Sequence, residues 1–311
     1  MSHVPPQFQP SPPAGDHGPG PPPDGAPVPD HAPPAELAGR SAWPPWLALA
    51  AFIAGFGVTI LAGAFVIGIV SAVGGSASSP PTGVNVGLTV IQNLALVGAA
   101  FFFAAMHGRP SAFDFGLRRP PVKRAIRLLF AVWIGFYALS AAWAAALSLD
   151  QQQTLPSELG ADGPLLNVLA VVVLITVIAP LGEELFFRGF FYGALRNWRG
   201  PWVAAVLTGV VFGGIHAGSS PLGYLVPLAI FGVGLCLLYE WSGSLYPSIA
   251  LHALNNSIAL GVLLSWSWQI PAMMVGSTIV TLTIASLLAR LLGTGGRAGP
   301  LSAPAPGPGA P

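Results

Sequence analysis

The stretch NVLAVVVLITVIAPLGEELFFRGFFYGAL, residues 167–195, joins an apolar run to two adjacent glutamates and an arginine. About 20 apolar residues are enough to cross the hydrocarbon core of a bilayer as a helix. A charge at the bilayer centre costs at least ~2.5–3.5 kcal/mol, so charged residues inside a span usually face the protein interior and have a function. Glu183, Glu184 and Arg188 are therefore the first candidates for a functional site.

The rest of the chain is also poor in charge and rich in apolar runs. Only 7% of the 311 residues are charged, whereas soluble proteins contain about 25%. We predict an all-α polytopic membrane protein with about eight transmembrane helices around a polar intramembrane cavity. The approximate limits of the predicted spans are 46–73, 84–106, 125–149, 164–195, 202–217, 222–240, 244–264 and 271–292.

The two ends of the chain differ in composition from the spans. Residues 1–43 and 293–311 are rich in Pro and Gly and cannot bury a core, so we expect disordered tails around one transmembrane domain at 44–292. The net charge is +1, which provides no basic field for binding nucleic acid. The single cysteine, Cys236, excludes an intrachain disulfide.

Lysine and arginine indicate the orientation of the spans, because cytoplasmic loops attract them. The loops after predicted spans 1, 5 and 7 contain neither residue, and the loop after span 3 contains only acids. We therefore expect the even-numbered loops and both termini on the cytoplasmic side of the cell membrane. The basic residues that indicate this side are Arg109, Arg118, Arg119, Lys123, Arg124, Arg127 at the start of the third span, Arg196, Arg199, Arg290 and Arg297.

Polar residues on three predicted spans lie at a similar depth. Their estimated distances from the cytoplasmic end of the span, at ~1.5 Å per helical residue, are ~18 Å for Glu183, ~21 Å for His216, ~12 Å for His252 and ~18 Å for Asn256. A single histidine or asparagine in a span is often only a hydrogen-bonding link between helices. Convergence of four polar residues at one depth is what a shared site requires.

Helical spacing predicts which side chains share a face. Glu184 and Arg188 are four residues apart and can form an ion pair that keeps Glu184 ionised. Glu183 points about 100° away on the helix and has no local cation, which suits a proton acceptor. His252 and Asn256 are also four residues apart and share one face of the seventh span.

The three motifs together resemble the CPBP family (CAAX protease and Abi, bacteriocin-processing proteins), which are intramembrane glutamic endopeptidases. The family pattern is E-E-x-x-x-R, then F-x-x-x-H, then H-x-x-x-N. This chain has EELFFR at 183–188, FGGIH at 212–216 and HALNN at 252–256, in the same order. The resemblance covers about residues 110–265 and implies a helical fold whose cavity opens toward the cytosol.

The resemblance also implies an activity, which is hydrolysis of a peptide bond near the C-terminus of a membrane-associated protein or peptide. Glu183 would be the general base that activates water, and His216 would help to position that water. His252 and Asn256 would stabilise the oxyanion. The supporting residues implied by the same motifs are Glu184, Arg188 and Phe212. No cofactor is required by this glutamic mechanism.

Three alternatives remain open from the sequence. A zinc-dependent version of the protease would use Glu183, His216 and His252 as ligands, although the local H-E-x-x-H motif of zinc proteases is absent. A proton-coupled transporter could use the same residues as a proton relay, but no inverted repeat is visible. A non-catalytic membrane protein could use the fold to bind a partner.

Overall fold

A computed structural model describes residues 43–78, 80–148, 163–217 and 220–293. Apart from Trp43 and Gly293, the predicted tails at 1–43 and 293–311 lie outside the described residues. Residues 150–162 of the predicted acidic loop after the third span, which runs from 150 to 163, also lie outside them.

The described residues form helices and no strand, which confirms the predicted fold class. We number the helices in chain order, treating the composite helix α4 as one element. The helices are α1 (Trp46–Ala72), α2 (Thr82–Ala105), α3 (Val122–Leu147), α4 (165–192), α5 (Gly193–Gly214), α6 (Leu222–Ser242), α7 (Tyr246–Leu263) and α8 (Gln269–Leu292).

Six helices in the described part of the chain are long and apolar enough to cross a membrane, so this is a multi-pass membrane protein. One of the six runs for 50 residues, from Leu165 to Gly214, and contains two predicted spans. Gly200, at φ 79° and ψ 174°, and Pro201 break it where those two spans meet. Helix α7, with 18 residues, is not among the six. Each of the eight predicted spans nevertheless falls on a helix.

Helix α4 is wound more widely than an α-helix in two places. It consists of α-helical residues Leu165–Val173, π-helical residues Leu174–Ile178, α-helical residues Ala179–Glu183 and π-helical residues Glu184–Tyr192. A π-helix bonds each N–H to the carbonyl five residues earlier, and such turns occur frequently at functional sites. Glu184 and Arg188 lie inside the second wide stretch, and Glu183 immediately precedes it.

Small residues bring α5 and α6 into close contact. A Cβ atom added at Gly209 would lie 2.7 Å from the carbonyl oxygen of Ala229, and one added at Gly213 would lie 2.6 Å from that of Leu225. Glycines four residues apart allow the backbones of membrane helices to approach in this way. The contact fixes the turn of α5 that carries Phe212 and leads to His216.

The loop between α2 and α3 is tied to the turn between α6 and α7. The N–H of Leu245 donates to the carbonyl of Gly116 at 2.8 Å. The hydroxyl of Ser244 donates to the carbonyl of Arg118 at 2.6 Å. Phe115 is fully buried in this loop. The start of α7, the helix of His252, is therefore held by a loop from the first half of the chain.

Candidate active site

Helix α4 carries the three charged residues of the site into the protein interior. Glu184 and Arg188 are completely buried, whereas the side chain of Glu183 is 13% exposed. Every residue of the π-helical stretch Glu184–Tyr192 is buried. Burial of a charged pair in a membrane protein requires partners on other helices, because lipid provides none.

The ion pair predicted by the spacing of Glu184 and Arg188 is present. Nη1 of Arg188 donates to Oε1 of Glu184 at 2.7 Å. Nη2 of Arg188 donates to the carbonyl of Gly232 on α6 at 3.0 Å. The guanidinium carbon lies 4.5 Å from the centre of the Phe212 ring, a cation–π distance. Arg188 therefore connects α4 to both α5 and α6.

His252 lies between the two glutamates. Its Nδ1 is 2.8 Å from Oε1 of Glu184. Since a carboxylate only accepts, Nδ1 carries the proton and donates. Its Nε2 lies 3.8 Å from Oε2 of Glu183, which is longer than a hydrogen bond. In the neutral ring Nε2 therefore has a lone pair and faces the less buried glutamate.

Phe212 separates the two histidines. Its ring centre is 5.1 Å from that of His216 and 5.8 Å from that of His252. Nδ1 of His216 donates to the carbonyl of Phe212 at 2.7 Å, because a carbonyl can only accept. Both histidines are thus fixed in the tautomer that is protonated on Nδ1.

Asn256 makes its hydrogen bond to the backbone of α4. Nδ2 donates to the carbonyl of Ile175 at 3.0 Å. The N–H of Ala179 bonds to Leu174, five residues earlier, and in this register the donor to Ile175 would be residue 180. Residue 180 is proline, which has no N–H. Asn256 therefore supplies the donor that Pro180 lacks.

The structure brings most of the predicted site residues together through direct contacts. Glu183, Glu184, Arg188 and Phe212 all lie within the distances given above of His252 or of one another, and His216 joins them through the Phe212 ring. Asn256 is one helical turn from His252, and its hydrogen bond is to the α4 backbone. The catalytic roles of these residues stay predictions.

The side chains that commonly hold metal ions are those of histidine, cysteine, aspartate and glutamate. Within the described ranges, no group of three or more of them is arranged to hold a metal ion. This includes the predicted zinc set of Glu183, His216 and His252.

A second buried charged network had no counterpart among the predicted site residues. Arg196 donates from Nε and Nη2 to both oxygens of Glu240, at 2.7 and 2.6 Å, and the hydroxyl of Tyr192 donates to the same carboxylate at 3.0 Å. The expectation for Arg196 was a loop position, but it lies on α5. The signal in the sequence is a pair of opposite charges at the ends of two predicted spans, both of which are expected on the cytoplasmic side. The network joins α4 and α5 to α6.

Comparison with known proteins identifies the family that this region resembles. Residues 165–258 match the family model described as Type II CAAX prenyl endopeptidase Rce1-like. All three sequence motifs lie inside this segment, so the match confirms the resemblance to the CPBP family. At the level of the family, it supports a CAAX-protease-like membrane endopeptidase.

Two curated bacterial proteins are similar to parts of the chain. An uncharacterized 24.3 kDa protein of Escherichia coli is 26% identical over 147 residues, which are 46% of this chain and 65% of that protein. The UPF0177 protein YxdF of Lactococcus lactis subsp. lactis is 30% identical over 91 residues, which are 29% of this chain and 49% of that protein. The chain thus covers less than two thirds of either relative. No solved structure matches it.

Proposed function

We propose that this protein is an intramembrane endopeptidase that hydrolyses a peptide bond near the C-terminus of a membrane-associated protein or peptide. The observation that carries the proposal is the position of His252 between two glutamates in different surroundings. Its Nδ1–H donates to Glu184, and its Nε2 faces Glu183 at 3.8 Å. Such a pairing of a fixed imidazole with a carboxylate that has no cation is suited to proton transfer.

The two glutamates have different roles in this proposal. Glu184 accepts from both Arg188 and His252 through Oε1 and is fixed. Glu183 has no contact with a lysine or arginine among the described ion pairs, and its Oε2 is buried without a hydrogen-bond partner there. Glu183 is therefore the general base in this proposal, and Glu184 holds His252 in its tautomer.

In the proposed reaction Glu183 takes a proton from water while the water oxygen attacks the carbonyl carbon of the scissile bond. The carbonyl oxygen becomes the oxyanion of a tetrahedral intermediate. The C–N bond then breaks, and Glu183 passes its proton to the leaving nitrogen. The products are a new carboxyl terminus and a free amine, and Glu183 returns to its ionised form.

The oxyanion would be stabilised by donors from α7. The Nδ2 group of Asn256 has two hydrogens, of which one bonds to Ile175, and we assign the second to the oxyanion. His252 donates from Nε2 only as an imidazolium, because its neutral ring carries the proton on Nδ1. The Nδ1–H of His216 is used by Phe212, so its Nε2 fits the acceptor role of holding the water.

The zinc-dependent version of the same protease is the second candidate. The Nδ1–H bonds of both histidines favour it, because metal-ligating histidines usually donate their other ring N–H to a carboxylate or a backbone carbonyl. Against it, no three ligand side chains in the described part of the chain are arranged around one ion. No step of the proposed reaction passes through a metal.

The experiment that tests the proposal compares Glu183→Gln with the wild type on a membrane-associated peptide in proteoliposomes. Loss of the base is expected to lower the cleavage rate by about 10²–10⁴ while the protein stays folded and inserted. Glu240→Gln is the matched control, since it makes the same chemical change in the second buried network, away from the histidines. It is expected to weaken the fold and to leave the rate per folded molecule unchanged.

Other outcomes would point elsewhere. Full cleavage by Glu183→Gln would exclude both versions of the protease. Activity that is lost to a strong chelator and restored by zinc would make Glu183 a ligand or a metal-assisted base. Proton-coupled flux that depends on Glu183, without cleavage, would favour a transporter.

A further inference from the structure

Asn93 is a buried polar residue on α2, outside the segment that matches the family. Only 4% of the residue is exposed, and its Oδ1 has no hydrogen-bond partner among the described residues. A buried amide oxygen without a donor is unusual, because most buried polar atoms are satisfied by protein or by ordered water. We therefore expect Oδ1 of Asn93 to accept a hydrogen bond from a group outside the described residues, such as a water molecule.

The orientation of the Asn93 amide is fixed by its other end. Nδ2 donates to the backbone carbonyl of Thr89 at 2.9 Å. A flipped amide would place two acceptors against each other at that contact, so the oxygen must lie on the opposite side. Oδ1 is thus an acceptor that points away from α2.

Oδ1 of Asn93 points at the turn of α4 that carries the proposed base. A Cβ atom added at Gly182 would lie only 2.7 Å from Oδ1, so glycine at this position permits the close approach. Gly182 immediately precedes Glu183, whose Oε2 is also buried and has no hydrogen-bond partner among the described residues. Two acceptor oxygens, one packed against Gly182 and one on the residue that follows it, thus both lack a donor among the described residues.

We propose that Asn93, in place of His216, positions the hydrolytic water, accepting a hydrogen bond from it through Oδ1 while Glu183 accepts the other hydrogen. Water supplies two donors, which is what these two oxygens lack, and buried waters typically have two to four polar partners. The proposal rests on the proposed function and adds a residue from α2 to a site otherwise built from α4, α5 and α7. The hydrogen bond to Asn93 remains when Glu183 takes the other hydrogen, and it keeps the attacking lone pair of the water turned toward the substrate.

The first test is kinetic and uses Asn93→Ala, Asn93→Asp and Leu94→Ala in the full chain. Asn93→Ala is expected to lower kcat about tenfold with KM within about twofold, since one neutral hydrogen bond to the water is lost. Leu94→Ala, on a neighbouring side chain that is 66% exposed, is expected to match the wild type.

The pH dependence of Asn93→Asp distinguishes a role in holding the water from a role in packing alone. A protonated aspartic acid has the same donor and acceptor as the amide, whereas an ionised one lacks the donor and adds a charge against Gly182, the residue before Glu183. The ratio of its kcat/KM to that of the wild type is therefore expected to rise as pH falls. The corresponding ratio for Asn93→Ala is expected to stay flat.

The second test is a double-mutant cycle with Gly182→Ala. The added methyl group would displace Oδ1, so Gly182→Ala is expected to lower kcat about as much as Asn93→Ala. The double variant is expected to be no slower than either single variant, because the alanine at 93 removes the clash. Losses that multiply would overturn the proposal.

The outcomes separate this inference from the proposed function. If Glu183→Gln is inactive but Asn93→Ala keeps the kcat of the wild type per folded molecule, only the role of Asn93 is wrong. A fall in stability alone, with a flat pH ratio for Asn93→Asp, would also overturn it and leave Asn93 as a link between α2 and α4. Cleavage by Glu183→Gln would instead refute the proposed function itself.

Discussion

Replacing Arg188 by alanine is the perturbation whose effect follows most directly from the structure. The side chain is completely buried, donates to Glu184 and to the carbonyl of Gly232, and lies over the ring of Phe212. Its removal leaves the carboxylate of Glu184 in the interior with His252 as its one described partner. Loss of one partner of a buried ion pair costs roughly 3–5 kcal/mol, which is mainly the cost of the charge left behind.

The assay is the free energy of unfolding, measured in mixed detergent micelles by circular dichroism. Arg188→Ala is expected to lower it by roughly 3–5 kcal/mol. The variant Arg188→Ala with Glu184→Gln lacks the stranded charge and is expected to recover at least ~1.5 kcal/mol of that loss. The control is Arg199→Ala, an exposed arginine over Trp198, for which about 1 kcal/mol or less is expected. If Arg188→Ala costs no more than Arg199→Ala, or the double variant recovers nothing, the reasoning about a stranded Glu184 is wrong.

Two further predictions concern the helix contacts and the topology. Gly213→Ala is expected to destabilise the fold by at least about 1–3 kcal/mol and to lower activity, because the new methyl group meets the α6 backbone at 2.6 Å. Gly214→Ala, where a Cβ meets nothing within 4 Å, is the control and should be neutral or slightly stabilising; equal losses in both variants would contradict the argument. A cysteine at Ser265, after α7, is expected to react with an impermeant reagent from outside, and one at Lys123 only after the membrane is opened. The reverse labelling pattern would overturn the predicted orientation of both termini.

The helices could be predicted from the sequence because the thickness of the hydrocarbon core sets the length of an apolar run. The break inside α5 was also predictable, since Gly200 and Pro201 are adjacent and interrupt helices for known reasons. The π-helical register of α4 was not. Hydrophobic pattern determines which face of a helix is buried, but it does not determine whether each N–H bonds four or five residues back.

The candidate site was predictable where it depends on local spacing. Glu184 and Arg188 form their pair because residues four apart on a helix are neighbours. The bond between His252 and Glu184 joins residues 68 positions apart, and no local pattern specifies it. The sequence predicts a loop position for Arg196, because arginine normally marks a membrane surface. Its pairing with Glu240 instead lets it lie on α5, partly buried. Asn93 gave no signal, since a lone asparagine in a span is ordinary.

The bond from Asn256 to Ile175 changes how a mutation at Asn256 has to be interpreted. One amide serves two purposes, because it completes the backbone of α4 and is proposed to meet the oxyanion. A loss of activity in Asn256→Ala would therefore have two causes, the disturbed backbone of α4 and the missing donor to the oxyanion. Pro180→Ala adds a backbone N–H at position 180, which can bond to the carbonyl of Ile175 in place of Asn256. Comparing Asn256→Ala in the presence and absence of Pro180→Ala would thus measure the scaffold and the chemistry separately, and positions 180 and 256 should be varied as a pair in any redesign of this site.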